Sequence, residues 1–192
     1  MLPGDTIKAH LMDEFDLDRM LNRMARQILE LVDPGTDLES TVGLVGMQRR
    51  GVFIAQRLAA KIKEIEGVSV PVGILDANMY RDDYRLSDRR PIIRETHIPF
   101  DISGRHIVLA DDVLFTGRTT RAALDALMDV GRPSTVTSLV IIDRGLKELP
   151  IHADIVGRQV PTIPGEEVRV RLSEIDDEDG VWLVERSQTE AK

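Results

Sequence analysis

Apolar and polar residues recur along this chain with two different periods. Between Asp16 and Leu31, the residues Leu17, Met20, Leu21, Met24, Ala25, Ile28 and Leu29 fall at helical spacing. Arg19, Arg23, Arg26 and Glu30 take the opposite side. The pattern predicts an amphipathic helix, ended by Asp33-Pro34-Gly35. Short apolar runs predict strands at Thr41 to Gly46, Val68 to Asp76, His106 to Ala110, Val136 to Ile142 and Ala153 to Val156. Pro71 predicts an edge position or a late start for the second of these. Further helices are predicted over Phe53 to Ile65 and Thr119 to Val130, the latter stopped by Gly131-Arg132-Pro133. The stretch from Arg81 to Glu95 is densely charged and has little hydrophobic period. It is predicted to be a long loop or mobile hairpin, of the kind that serves as a lid. In the tail, Val168, Val170 and Leu172 alternate with Arg169 and Arg171, and with Val181 to Val184 they suggest a hairpin.

Strand and helix alternate through the middle of the chain, and the strand runs are continuously apolar. Strands covered on both faces read that way, so the expected fold is α/β, a parallel sheet flanked by helices. One domain is expected over residues 1–192, with a core from about 36 to 157. The N-terminal helix and C-terminal strands are expected to form a side lobe.

Composition narrows the function classes. Cysteine is absent, which excludes a disulfide scaffold, a Cys-ligated zinc site and thiol catalysis. The four histidines, His10, His97, His106 and His152, are scattered without metal-ligand spacing. The net charge of −8 argues against broad nonspecific nucleic-acid binding but leaves room for a local basic patch. No apolar run is long enough to span a membrane and no secretory signal is visible, so a cytoplasmic location is expected.

The chemistry concentrates between Ile107 and Leu127, IVLADDVLFTGRTTRAALDAL. A buried strand delivers Asp111 and Asp112 to its C-terminal end, where open parallel sheets bind ligands. The turn Thr116-Gly117-Arg118-Thr119 then opens a helix. Backbone N–H groups at a helix start bind anions, and the hydroxyls of Thr116, Thr119 and Thr120 can add donors. Carboxylates beside such a cradle suit sugar hydroxyls or magnesium. A phosphate joined to a ribose satisfies both halves. An isolated Asp-Asp pair usually just ends a strand, but strand, acids, glycine turn and helix here follow in order at tight spacing.

The segment ADDVLFTGRT closely resembles the phosphoribosyl pyrophosphate signature of type I phosphoribosyltransferases. The resemblance extends to Leu44-Val45-Gly46-Met47-Gln48-Arg49-Arg50-Gly51, Tyr80-Arg81-Asp82-Asp83, Asp129-Val130-Gly131-Arg132-Pro133-Ser134, Asp143-Arg144-Gly145 and Glu148-Leu149-Pro150-Ile151. Over roughly residues 15–185 the chain is similar to the bacterial pyrimidine-operon regulatory proteins, which combine uracil phosphoribosyltransferase activity with attenuation of pyrimidine genes. The resemblance implies that uracil and phosphoribosyl pyrophosphate give UMP and pyrophosphate, with magnesium carried mainly by the substrate. It implies a substrate-binding run of Val108, Leu109, Ala110, Asp111, Asp112, Val113, Leu114, Phe115, Thr116, Gly117, Arg118, Thr119 and Thr120. Asp111 and Asp112 would hold the ribose hydroxyls, and Arg50 and Arg81 would face pyrophosphate. Arg49 stands where the family usually has threonine. Ile155, Val156 and Arg144 are expected at the base. Phe115 replaces the aspartate common in purine-specific relatives, which favours a pyrimidine.

The resemblance also implies RNA binding, to leader mRNA of pyrimidine genes, through Arg23, Arg26, Lys147 and Arg158. Leu146 and His152 replace a histidine and an arginine usual in the family. A homo-oligomer, at least a dimer, is expected, with the apolar face of the first helix and the terminal strands as interface surfaces. Three readings stay open: an active uracil phosphoribosyltransferase that also regulates, an RNA-binding sensor of uridine nucleotides with little turnover, and an enzyme for a purine base. The acidic pair and intact phosphate turn favour the first over the second, and Phe115 favours it over the third.

Overall fold

The computed structural model describes residues 6–81 and 96–185. The charged stretch expected to be a lid falls, from Asp82 to Glu95, outside the described residues. The elements are, in chain order, β1 (Thr6–Met12), α1 (Glu14–Leu29), α2 (Leu38–Thr41), β2 (Val42–Met47), α3 (Arg50–Glu66), β3 (Val72–Leu75), β4 (His106–Leu114), α4 (Arg118–Val130), β5 (Thr135–Asp143), β6 (Ile155–Gln159), β7 (Glu166–Arg171), α5 (Ser173–Asp176) and β8 (Gly180–Glu185).

Five strands form a parallel sheet in the order β3-β2-β4-β5-β6. Pro71, which lacks an N–H, immediately precedes β3, and β3 is an edge. Successive residues of a strand face opposite ways, so β4 divides its side chains between two cores. Val108 and Ala110 pack with Leu44, Leu139 and Ile141 under α1 and α3, through Leu17, Leu21, Met24, Ile54 and Leu58. Ile107 and Leu109 pack on the other face with Val45 and with Ala122, Ala123, Ala126 and Leu127 of α4. The start of α1 is fixed by Asp13, whose side chain accepts the Asp16 N–H at 2.8 Å.

A second sheet, antiparallel, has the order β1-β8-β7. Val168, Val170 and Val181 join the core beneath α1, so this sheet and the parallel one share an interior. The sequence pattern predicts the β7–β8 hairpin but not β1. Strand β1 is mostly exposed and its register slips twice against β8, so its apolar residues keep no clean alternation. The helix α1 also differs from expectation in one respect. Its apolar face is spent inside the chain, with Leu17 and Leu21 at 1% and 2% exposure, and is closed to a partner subunit.

Candidate active site

The site begins where two neighbours of β4 part company. Pairing with β2 ends at Gly46 and Ala110, whereas pairing with β5 continues to Leu114 and Asp143. Asp111 and Asp112 therefore stand on a strand that is still held along one edge and open along the other. The strand runs four residues past the predicted end at Ala110. The two carboxyls lie within hydrogen-bonding reach of each other; Asp111 also feels the charge of Arg81, and Asp112 that of Arg50. Each side chain folds onto the next backbone N–H, from Asp112 and Val113 respectively, both at 2.9 Å. Burial, and for Asp111 the adjacent Asp112 charge, push both carboxyls above the ordinary carboxylate range. A pair so disposed takes up positive charge or hydroxyl donors readily.

Beyond Leu114 the chain turns through Thr116 and Gly117 into α4. Gly117 has φ +87°, left-handed backbone that glycine adopts without cost. The turn lines a cleft of about 400 Å³ with Arg81, Val113, Leu114, Phe115, Arg118, Thr119, Thr120 and Glu148. It lies over the N-terminus of a 13-residue helix, where first-turn N–H groups and the helix dipole attract an anion; the Arg118 N–H itself donates to Thr116 Oγ1 at 3.3 Å. Arg81 reaches Thr119 Oγ1 at 3.3 Å, and Arg118 is paired with Glu148 at 2.7 Å. The segment after β5 roofs the turn. The N–H groups of Glu148 and Leu149 both donate to the Thr116 carbonyl, at 3.0 and 3.1 Å.

A second cleft, about 530 Å³, opens on the Asp112 side. Arg50, Phe115, Arg144, Arg169, Arg171 and Asp176 line it with Asp112, and β7 forms one wall. Arg50 sits at the start of α3, just after a cis peptide between Gln48 and Arg49. Gly51, next to it, leaves no room for a Cβ against the Ala110 carbonyl, so α3 begins hard against the strand that carries the acids. Arg144 is buried; its guanidinium stacks 4.1 Å from the Phe115 ring centroid and donates to Thr162 and to the Glu166 carbonyl.

The structure thus gathers Asp111, Asp112, Arg50, Arg81, Arg144 and the run from Val113 to Thr120 around two adjoining clefts. Four members of the expected substrate-binding run do not line them: Asp111 stands beside Asp112 just behind the walls, and Val108, Leu109 and Ala110, at 0–1% exposure, are sheet core. Ile155 and Val156, expected at the base, lie on β6. Their partners are Leu139 and Val140, which sets Val156 level with Asp111 across β5; Ile155 is packed in the core and Val156 is half-buried. Of the basic residues expected to meet RNA, Arg23 donates to the carbonyls of Gly157 and Val156, Arg158 to that of Leu11, and Lys147 pairs with Asp143 at 2.8 Å. Arg26 is exposed one turn along from Arg23. Asp176 and Glu148 carry no expected role at the clefts; Glu148 lies in the Glu148-Leu149-Pro150-Ile151 segment that carries the resemblance, whereas nothing near Asp176 in sequence marks it. Among the described residues no three His, Cys, Asp or Glu side chains converge as a metal cage, and no helix is long and apolar enough to cross a membrane.

A phosphoribosyl transferase domain model matches residues 16–174. The chain is 51% identical over 181 residues to a bifunctional protein PyrR of Pelotomaculum thermopropionicum, spanning 94% of this chain and 98% of that one. It is also 51% identical to the bifunctional protein PyrR of Thermus thermophilus, over 93% and 97% of the two chains. Among solved structures, a hypoxanthine-guanine phosphoribosyltransferase of Bacillus anthracis superposes with TM-score 0.69 at 18% identity, covering 95% of this chain and 100% of that one. A hypoxanthine phosphoribosyltransferase of Trypanosoma cruzi gives 0.70 at 16% identity, covering 95% and 97%. At such identities the likeness is one of fold.

Proposed function

This chain belongs to the phosphoribosyltransferase family and, within it, to the bifunctional PyrR proteins, and from that premise we propose that it transfers the phosphoribosyl group of phosphoribosyl pyrophosphate to uracil and binds leader RNA of pyrimidine genes. The observation that carries the enzymatic half is the acidic pair on β4 running directly into a glycine turn at the start of α4. The 5′-phosphate would sit on the N–H groups and hydroxyls from Thr116 to Thr120. The ribose would lie over Asp111 and Asp112. The pyrophosphate would reach toward Arg50 and Arg81, on either side of β4.

Each group has a defined task in that arrangement. The leaving pyrophosphate gains negative charge, and fixed guanidinium groups stabilise it as it departs. The ribose ring gains positive charge at its anomeric carbon, and the carboxylates beside it lower the energy of that state. Phe115, stacked on Arg144, offers an aromatic wall between the two clefts and no acidic group for a purine ring. Asp111 and Asp112 would offer oxygen ligands of the kind magnesium accepts, to an ion carried mainly by the substrate. Bound there, the ion would neutralise pyrophosphate charge.

The regulatory half rests on the basic residues at the junction of α1 and β6. Arg23 ties α1 to β6, Arg158 ties β6 to β1, and Arg26 adds an exposed charge on the same helix. A spectrophotometric assay of uracil and a set of purine and pyrimidine bases, with phosphoribosyl pyrophosphate and magnesium, tests the first half. Turnover with uracil alone is expected; turnover confined to purines, or none with any base, would overturn it.

A further inference from the structure

Arg50 is gripped from outside the parallel-sheet core. Its Nε and one terminal nitrogen donate to the two carboxylate oxygens of Asp176, at 3.0 and 2.7 Å. Asp176 lies on α5, between β7 and β8 of the small sheet, 126 residues along the chain. Its carboxylate also accepts the N–H of Leu172 at 3.1 Å, and its own N–H donates back to the Leu172 carbonyl at 2.8 Å. The carboxylate is thus fixed before it meets the arginine. Both side chains are largely shielded, Arg50 at 33% and Asp176 at 17% exposure, and both line the cleft that holds Asp112.

A guanidinium carries five N–H groups in a rigid plane. Asp176 takes two of them along one edge, leaving the outer edge for the cleft. A second clamp lies two turns further along α3, where Arg57 binds Glu174, Asp179 and the Ser173 hydroxyl. That clamp secures the same segment of the small sheet without touching the cleft. Anchoring the segment and aiming Arg50 are therefore divided between two arginines.

We propose that Asp176 is a positioning residue: it locks the Arg50 guanidinium in the plane that presents its outer edge to pyrophosphate. This rests on the functional reading above, in which Arg50 meets the leaving group. Asp176 has two opposed influences on an incoming anion. Its negative charge weakens anion binding, and its grip removes the cost of freezing a long side chain. Freezing such a side chain costs binding up to about tenfold. The geometry favours the grip, because the ion pair already neutralises much of the charge.

The test is calorimetric titration of the full chain with inorganic pyrophosphate in the presence of magnesium, alongside steady-state kinetics. Asp176→Asn places an amide N–H against the guanidinium and opens the clamp. It is expected to weaken pyrophosphate about tenfold and to raise KM for phosphoribosyl pyrophosphate in step. UMP, held by the turn before α4, is expected to bind as in wild type. Asp176→Glu, which restores the charge, is expected to recover part of the loss. Glu174→Gln is the control: it loosens the Arg57 clamp and is expected to lower the melting temperature without altering pyrophosphate affinity. Equal or tighter pyrophosphate binding by Asp176→Asn would overturn the proposal, as would an equal loss in Glu174→Gln. Wild-type protein that turns over but fails to bind pyrophosphate through Arg50, judged by an unaltered Arg50→Gln, would sink the positioning role and leave the enzyme. Wild-type protein with neither turnover nor pyrophosphate binding would overturn both.

Discussion

Replacing Gly117 by alanine separates the cost of a strained turn from the cost of a spoiled phosphate site. At φ +87° an L-residue pays for left-handed backbone, about 1–2 kcal/mol. For a chain of this size each kcal/mol corresponds to about 2–4 °C in melting temperature, so a fall of about 2–8 °C is expected. The new methyl would also lie 3.2 Å from Cβ of Ile151 and 3.5 Å from Cβ of Leu149. The first distance is tighter than ordinary contact, and the roof over the turn must lift by a few tenths of an ångström. Misplacement by about 1 Å can cost about 100-fold in rate, so a few tenths scale to roughly three- to tenfold in kcat/KM. Gly165→Ala is the matched control. Its φ is +93° and nothing lies within 4 Å of the added methyl, so it carries the backbone cost alone. The assays are a thermal melt and initial rates against phosphoribosyl pyrophosphate. If both variants lose the same stability and both keep wild-type kinetics, the turn does not hold the phosphate. If Gly117→Ala melts as wild type does, the strain argument itself is wrong.

Asp112→Asn should lose at least about 100-fold in turnover, the scale of removing one preorganised charge contact, with no fall in melting temperature at pH 7. The sign follows from the raised carboxyls: the folded state holds their protons more tightly, so stability drains away as pH rises from the ordinary carboxylate range, 3.8, through the raised values. Asp111→Asn removes that drain, and calorimetry should find it more stable than wild type at pH 7 and nearly equal at pH 4. For RNA, filter binding of a leader transcript at several salt concentrations should show Arg26→Ala lowering affinity and flattening the salt slope by about one; an unchanged slope removes Arg26 from the contact. Sedimentation at micromolar concentration should give a dimer or larger, and a monomer would refute the expected assembly.

The parallel core was legible because its strands and helices carry their signal locally. Val108 and Ala110 face one helical layer while Ile107 and Leu109 face the other, and such strands read as unbroken apolar runs. The same holds for the turn at Thr116 and Gly117, whose chemistry is complete within a few residues. What escaped depends on residues distant in sequence. The Arg50–Asp176 clamp joins a helix start to a turn in the small sheet, and no periodicity announces it. Strand β1 escaped because it is mostly exposed and its register is broken by bulges. Ile155 and Val156 are expected at the base only through the family resemblance, not from any local pattern. The pairing register sets Val156, through Val140, level with Asp111, while Ile155 is packed in the core.

The two N–H groups that Glu148 and Leu149 give to the Thr116 carbonyl make the phosphate turn a joint product of two loops. Surface connections ordinarily absorb insertions and deletions freely, because their length is not coupled to anything rigid. The connection from Gly145 to Ile151 lacks that freedom. One residue more or fewer would shift the donors out of phase with a carbonyl fixed at the end of β4, and the turn would lose its roof. The connection around Gly35, where Thr36 donates to the nearby Asp33 carbonyl and the glycine has nothing within 4 Å of an added Cβ, carries no such constraint. Changes in length across descendants of this chain should therefore accumulate there, and the stretch behind β5 should keep its count while its side chains change.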